Sequence, residues 1–252
     1  MSKILDFARR NLAWVLLIVC VIFFSFSPNF LTVRNILNIL NQNAYILIAA
    51  FGISFIMMSG GMDLSIGYMM SITGVISAKL LTEAGLPLIV VIILTIAAAV
   101  VMCTLNAVLS HLLGIPRIFV TFGTMTVYQG FSYVLSESKT IGGLSDGYKF
   151  IGQGTLFGSN FTFALLLTII LGLIVSFVLN KTYFGRYVFA LGGNPDAARL
   201  AGINVKRMEI YISVLAGLFL GIASLVLTAR VGSAAATTAT GTEFTVITGL
   251  LL

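Results

Sequence analysis

Residues 86–113 read LPLIVVIILTIAAAVVMCTLNAVLSHLL, a stretch with no Asp, Glu, Lys or Arg and with His111 as its one titratable base. The hydrocarbon core of a bilayer is about 30 Å thick, and a helix crosses it with about 20 apolar residues. The rest of the chain has the same character. Of its 252 residues 59% are hydrophobic and 9% charged, and the mean hydropathy is +1.09. A soluble domain carries about 25% charged residues. A chain this apolar has too little polar surface to cover itself in water, so lipid must replace water around most of its perimeter.

Working outward from 86–113, similar runs fall at about 11–27, 36–59, 64–81, 118–135, 161–179 and 210–229, with an eighth beginning near Phe244. The expected fold is therefore all-α, a polytopic transmembrane bundle of seven full spans and a partial eighth. The eighth run stops at Leu252, too short for a crossing, so a single transmembrane domain over 1–252, incomplete at its C-terminal end, is expected. The basic leader Lys3, Arg9 and Arg10 ahead of the first run resembles a signal peptide. No small-x-small cleavage site follows, and Ser27-Pro28-Asn29-Phe30 leads into further spans, so a retained anchor is expected.

The charge pattern orients the bundle. With the N-terminus inside, the inner side holds nine basic residues, namely Lys3, Arg9, Arg10, Arg117, Lys181, Arg186, Arg199, Lys206 and Arg207. The outer side holds five: Arg34, Lys79, Lys139, Lys149 and Arg230. The positive-inside bias puts the N-terminus and loop 180–209 in the cytoplasm. Basic residues spaced between apolar runs set topology; they do not form a nucleic-acid-binding stripe. The two cysteines, Cys20 and Cys103, lie inside apolar runs and read as buried thiols, and a single histidine offers no metal constellation.

Within the cytoplasmic loop, Asn194-Pro195-Asp196-Ala197-Ala198-Arg199-Leu200-Ala201-Gly202 reads as one short helix with both ends marked. Asn194 suits the N-cap, Pro195 the first helical position and Asp196 the positive end of the dipole. Arg199 falls towards the negative end, and Gly202 can stop the helix in the left-handed conformation. Such a helix is unstable alone and needs packing. Ala197, Ala198 and Ala201 admit a close neighbour, and Leu200 offers an apolar knob. The chemistry alone leaves two readings, a connector on the membrane surface or a docking element for a cytoplasmic partner.

Three motifs in order carry a resemblance that covers essentially the whole chain. They are Gly60-Gly61-Met62-Asp63-Leu64-Ser65-Ile66-Gly67, the segment Pro116-Arg117-Ile118-Phe119-Val120-Thr121-Phe122-Gly123-Thr124, and the loop from Gly185-Arg186 through Ala190-Leu191-Gly192-Gly193-Asn194 to Gly202-Ile203. Together they are similar to the simple-sugar permeases of ATP-binding-cassette importers, the ribose/xylose/galactose type, with one residue inserted in the second motif. The resemblance implies a bacterial inner-membrane subunit moving a monosaccharide. It also implies a separate ATPase that grips the 194–202 helix, a second permease copy or paralogue completing the pathway, and an extracytoplasmic solute-binding protein. No cofactor and no nucleic acid are implied. Members of that type run on for several more spans.

The polar groups at membrane depth keep more than one reading. Gly60-Gly61 breaks the second helix, and Asp63 is placed to cap the third near Ser65 or Ile66, with Gly67 inside its first turn; pathway gating or proton coupling by Asp63 are the alternatives. Asn35, Asn38 and Gln42 recur on one helical face and suit either interhelical bonds or a sugar-lined lumen, as do Thr121 and Thr124. Gly217 and Gly221 form a GxxxG packing pair. The sequence holds no GxxxxGK[ST] phosphate loop and no HExxH, and one histidine at a span end offers no catalytic pair, so it is read as neither the ATPase nor an intramembrane enzyme. An ion-coupled secondary transporter stands as the alternative function.

Overall fold

The computed structural model describes residues 12–156 and 160–252; the basic leader and Asn11 lie outside the described residues. Each of the eight apolar runs coincides with a helix: α1 Leu12–Ser25, α2 Val33–Met58, α3 Ile66–Thr82, α4 Leu88–Leu113, α5 Arg117–Ser136, α7 Phe163–Lys181, α10 Val205–Val231 and α11 Thr242–Leu251. Between them lie α6 (Asp146–Gln153), a hairpin of β1 (Thr155–Leu156) and β2 (Phe161–Thr162), and two short helices, α8 (Tyr183–Gly193) and α9 (Pro195–Leu200). The protein is thus an all-α polytopic membrane bundle. Among the described residues, α2, α4, α7 and α10 are long and apolar enough to cross a bilayer. α3, at 17 residues, is shorter.

The bundle is apolar outside and carries polar groups within a largely apolar core. Ile89, Ile93, Val101, Leu173 and Phe177 are exposed, whereas Ser71, Thr73, Ser77, Asn106, Ser213 and Ser224 are buried. Lipid tails accept the first group, and paired hydrogen bonds satisfy the second. α10 is the central post, packed against α4, α2, α6 and α3. Its contact with α4 is made backbone to backbone: a Cβ at Gly217 would lie 2.6 Å from Val100 Cα, and one at Gly221 2.8 Å from Ile96 Cα. Across the interface with α3, Thr73 Oγ1 donates to Ser224 Oγ at 2.9 Å, and Ser224 Oγ donates to the Met70 carbonyl at 2.7 Å.

Contacts define two ends. At one end Lys79 Nζ donates to the Leu135 carbonyl, Gln153 Nε2 to the Arg230 carbonyl and Arg230 Nη1 to the Asn41 carbonyl. There α6 lies over α10, with buried Tyr148 and Ser77 hydroxyls 2.6 Å apart. The polar segment between α5 and α7 is therefore partly helical, started by the Ser145 side chain accepting the Tyr148 N–H. Glu137 and Lys139 pair at 2.9 Å at this end, and the lysine's hydrogen bond and charge hold the Glu137 carboxyl below the ordinary range. The opposite end gathers the α2–α3 break, the start of α5, and α8 with α9.

Candidate functional site

The α2–α3 break follows from two glycines. Gly60 sits at φ +85°, the left-handed conformation that stops a helix. Gly61 N–H donates to the Ile56 carbonyl at 2.9 Å and Gly60 N–H to the Met57 carbonyl at 3.0 Å, satisfying the last carbonyls of α2. The chain then runs without helical bonds through Met62–Ser65 into α3.

Asp63 sits in this gap, fully buried. Its Oδ1 accepts the Ser65 N–H at 2.9 Å and the Ser65 hydroxyl at 2.6 Å, close to the capping position read from the sequence. Its Oδ2 meets Arg117 Nη2 at 2.9 Å, and the arginine side chain is only 10% exposed. The ion pair was not legible in the sequence, where Arg117 counted only as an inner-side charge. Arg117 Nη1 also donates to Ser213 Oγ at 2.6 Å on α10, and Nη2 lies 3.3 Å from Cys103 Sγ on α4.

A directed chain of hydrogen bonds backs the pair. The Tyr128 hydroxyl reaches Asn106 Oδ1 at 3.0 Å, Asn106 Nδ2 donates to Ser65 Oγ at 2.9 Å, and Ser65 donates to Asp63. One cluster thereby ties the break to α4, α5 and α10. A buried ion pair is costly to desolvate and contributes chiefly through its geometry. Here the geometry fixes where the broken segment lies.

The docking-type helix stands beside it. Asn194 Oδ1 accepts the N–H groups of Asp196 and Ala197, both at 3.0 Å. Arg199 Nη1 bonds Asp196 Oδ1 at 3.0 Å, and Gly202 sits at φ +88°. α9 is six residues long, with Ala201 at its C-cap and Gly202 just beyond. Ala198 is buried, so that part of the small-residue face is used within the chain, while Leu200 is 90% exposed. Loop 180–209 is more ordered than the sequence reading had it. α8 begins at the Thr182 side chain, which accepts the Gly185 N–H, and buries Val188 and Leu191. α10 begins at Val205 under an Asn204 cap.

Gly192 of α8 lies directly on the break: a Cβ there would collide with the Met58 carbonyl oxygen. Beside that contact opens a cavity of about 390 Å³ lined by Ser59, Gly61, Arg117, Gly192, Pro195 and Glu209. His111 Nε2 lies 3.1 Å from Glu209 Oε2, so His111 is held against α10 and does not lie at a free surface.

The remaining sequence candidates are not brought to one surface. Thr121 is fully buried and its Oγ1 accepts the Leu64 N–H at 3.1 Å, so it holds the break in place. Thr124 Oγ1 lies 3.4 Å from the Thr121 carbonyl. Asn35 Nδ2 donates to the Phe30 carbonyl at 2.9 Å, and Asn38 and Gln42 are exposed. These amides lie about 30 Å along α2 from the Thr121 end. Asp63 is one acid buried against the motifs of the embedded helices. Glu243, at the start of α11, is a second: it is buried beside Gly67, with both carboxyl oxygens near the Gly241 N–H.

A broken helix locked by a buried charge pair, beside a capped surface helix in an apolar bundle, defines a membrane-embedded permease component. The chain belongs to the family described as "Branched-chain amino acid transport system / permease component", whose model matches residues 35–252. It is 32% identical over 250 residues to the galactose/methyl galactoside import permease protein of Haemophilus influenzae, covering 92% of this chain and 74% of that protein. It is 33% identical over 240 residues to the ribose import permease protein of Bacillus subtilis, covering 94% and 73%. To the D-allose transport system permease protein of Escherichia coli it is 29% identical over 222 residues, covering 88% and 68%. No solved structure gives a significant match. The chain is a multi-pass permease of the bacterial inner membrane and not an enzyme.

Proposed function

We propose that the chain is the translocation subunit of an ATP-binding-cassette importer for a monosaccharide, working with a separate ATPase, an extracytoplasmic binding protein and a second permease copy or paralogue. The family description is broad in substrate, but the relatives at about 30% identity are named for galactose, ribose and allose. The observation that carries the mechanism is the juxtaposition of the α8–α9 unit with the α2–α3 break, through Gly192 of α8 and, across the cavity, Pro195 of α9. α9 is the ATPase-docking helix of a cytoplasmic loop, 180–209, with Leu200 as its exposed knob. The 60–67 motif (Gly60, Gly61, Asp63, Ser65 and Gly67) is the gating element it acts on.

The end holding α8 and α9 is then cytoplasmic, the end holding α6 extracytoplasmic, and the N-terminus inside. α1, α3 and α5 join the four long helices to make seven crossings. Asn38 and Gln42 are retained as lumen-lining amides, because amides left unpaired on a membrane helix call for water or a protein partner. Thr121 is assigned to the break instead, and Thr124 to a bond within α5.

An ion-coupled mechanism is disfavoured by Asp63, whose charge is already matched by Arg117 at 2.9 Å. Reconstitution into liposomes tests the reading. Labelled monosaccharide should enter only with ATP, the ATPase and the binding protein present, and charge reversal at Asp196 and Arg199 should release the ATPase. Uptake by this chain alone, driven by an ion gradient, would overturn it.

A further inference from the structure

We infer that Gly192 is a positioning residue for energy coupling: it seats the α8–α9 unit, without any intervening side chain, on the α2–α3 break. A displacement of α9 is thereby delivered first to the segment clamped by Asp63 and Arg117. The inference rests on the proposed role of α9 as the ATPase-docking helix. It adds the route by which that docking reaches the bundle.

Four observations carry it. A Cβ at Gly192 would collide with the Met58 carbonyl oxygen and lie 3.5 Å from Gly60 N. The contact is therefore backbone on backbone and cannot be absorbed by a side-chain rotamer. α8 and α9 are joined stiffly through one residue: Asn194 N–H donates to the Ala190 carbonyl at 3.1 Å, closing α8, while its side chain caps α9. The covalent route forward from α9 is longer, four residues from Ala201 to Asn204 against the single Asn194 that joins α8 to α9. Finally, the cavity of about 390 Å³ leaves the break room to move, and Arg117 Nε, buried in its wall, has no hydrogen-bond partner among the described residues. The guanidinium thus keeps a spare donor for a shifted arrangement.

The test uses the assembled transporter with its ATPase and binding protein. Gly192→Ala should leave subunit stoichiometry and unstimulated ATP turnover unchanged. It should lower by at least tenfold both binding-protein-stimulated turnover and the number of solute molecules moved per ATP. Gly193→Ala, whose Cβ would meet nothing within 4 Å, should match the wild type throughout. Should Gly192→Ala fail to assemble, a second measurement decides. In a Cys20→Ser background, Ser110→Cys lines the same cavity and should react with a small thiol reagent at rates at least threefold apart in nucleotide-free and vanadate-trapped transporter. Wild-type coupling in Gly192→Ala, or equal thiol rates in the two states, would overturn the inference. A wild-type transporter that needs no ATPase would instead overturn the function proposed above.

Discussion

Replacing Asp63 by Asn removes one charge from a buried pair and strands the other. At 2.9 Å separation and an effective dielectric of about 20, the Coulomb attraction is about 6 kcal/mol. Desolvation of both ions offsets most of that, so the net value of the intact pair is small. Removing one partner of such a pair typically costs 3–5 kcal/mol. The amide keeps an acceptor for the two Ser65 bonds, so the loss reports on the stranded guanidinium. Asp63→Asn and Arg117→Gln should each destabilise by about 3–4 kcal/mol, and the double variant by about 1–2. The cycle should therefore show a coupling of about 4–7 kcal/mol, within the range measured for close charge pairs. The measurement is reversible unfolding in mixed micelles, followed by helical circular dichroism. A double variant as unstable as the sum of the two singles would refute the claim that the pair is one unit. The same double variant should still transport if Asp63 positions the break. A proton-coupled role predicts that transport is abolished.

Three further outcomes follow from exposed or tightly packed positions. Leu200→Glu, on a side chain 90% exposed, should change stability by less than about 0.5 kcal/mol yet prevent co-purification of the ATPase. Gly217→Val would drive a branched side chain into the α4 backbone at Val100, and should destabilise by more than about 3 kcal/mol in the same unfolding assay, above the usual cost of overpacking. Lys139→Gln should raise the Glu137 titration towards the ordinary carboxylate range, read by NMR. Stability should not respond measurably at any pH, because both side chains are solvated.

The eight helical runs were legible because hydropathy is a local property, and so was α9, whose Asn194, Pro195 and Gly202 act within a few residues of themselves. The Gly60–Gly61 break was legible for the same reason. What joins these pieces was not. Asp63 and Arg117 are 54 residues apart in sequence, and nothing local to either shows that α3 and α5 start side by side. Gly192 and Gly193 stand side by side in the third motif, and only the fold reveals which of the two carries a contact. α8 had a readable signal that was passed over: Thr182 as a cap, then Phe184, Val188 and Leu191 on one helical face. Thr121 kept two readings because a hydroxyl on a membrane helix looks the same from sequence whether it faces a lumen or a neighbouring backbone.

The hydroxyls of α3 carry a consequence for how the chain is made. Ser77 meets Tyr148, Thr73 meets Ser224, and Ser71 accepts the N–H of Ala239, partners that lie 71, 151 and 168 residues later. At ribosomal speeds of about 5–20 residues per second, Thr73 waits about 8–30 s for its partner to be synthesised. During that interval the face of α3 that carries Ser71 and Thr73 lacks the protein that buries it. The helix is therefore a late joiner, dependent on the insertion machinery to hold it until α10 arrives. Slowing synthesis between residues 82 and 224 should expose it to membrane proteases more than any change within α3 itself.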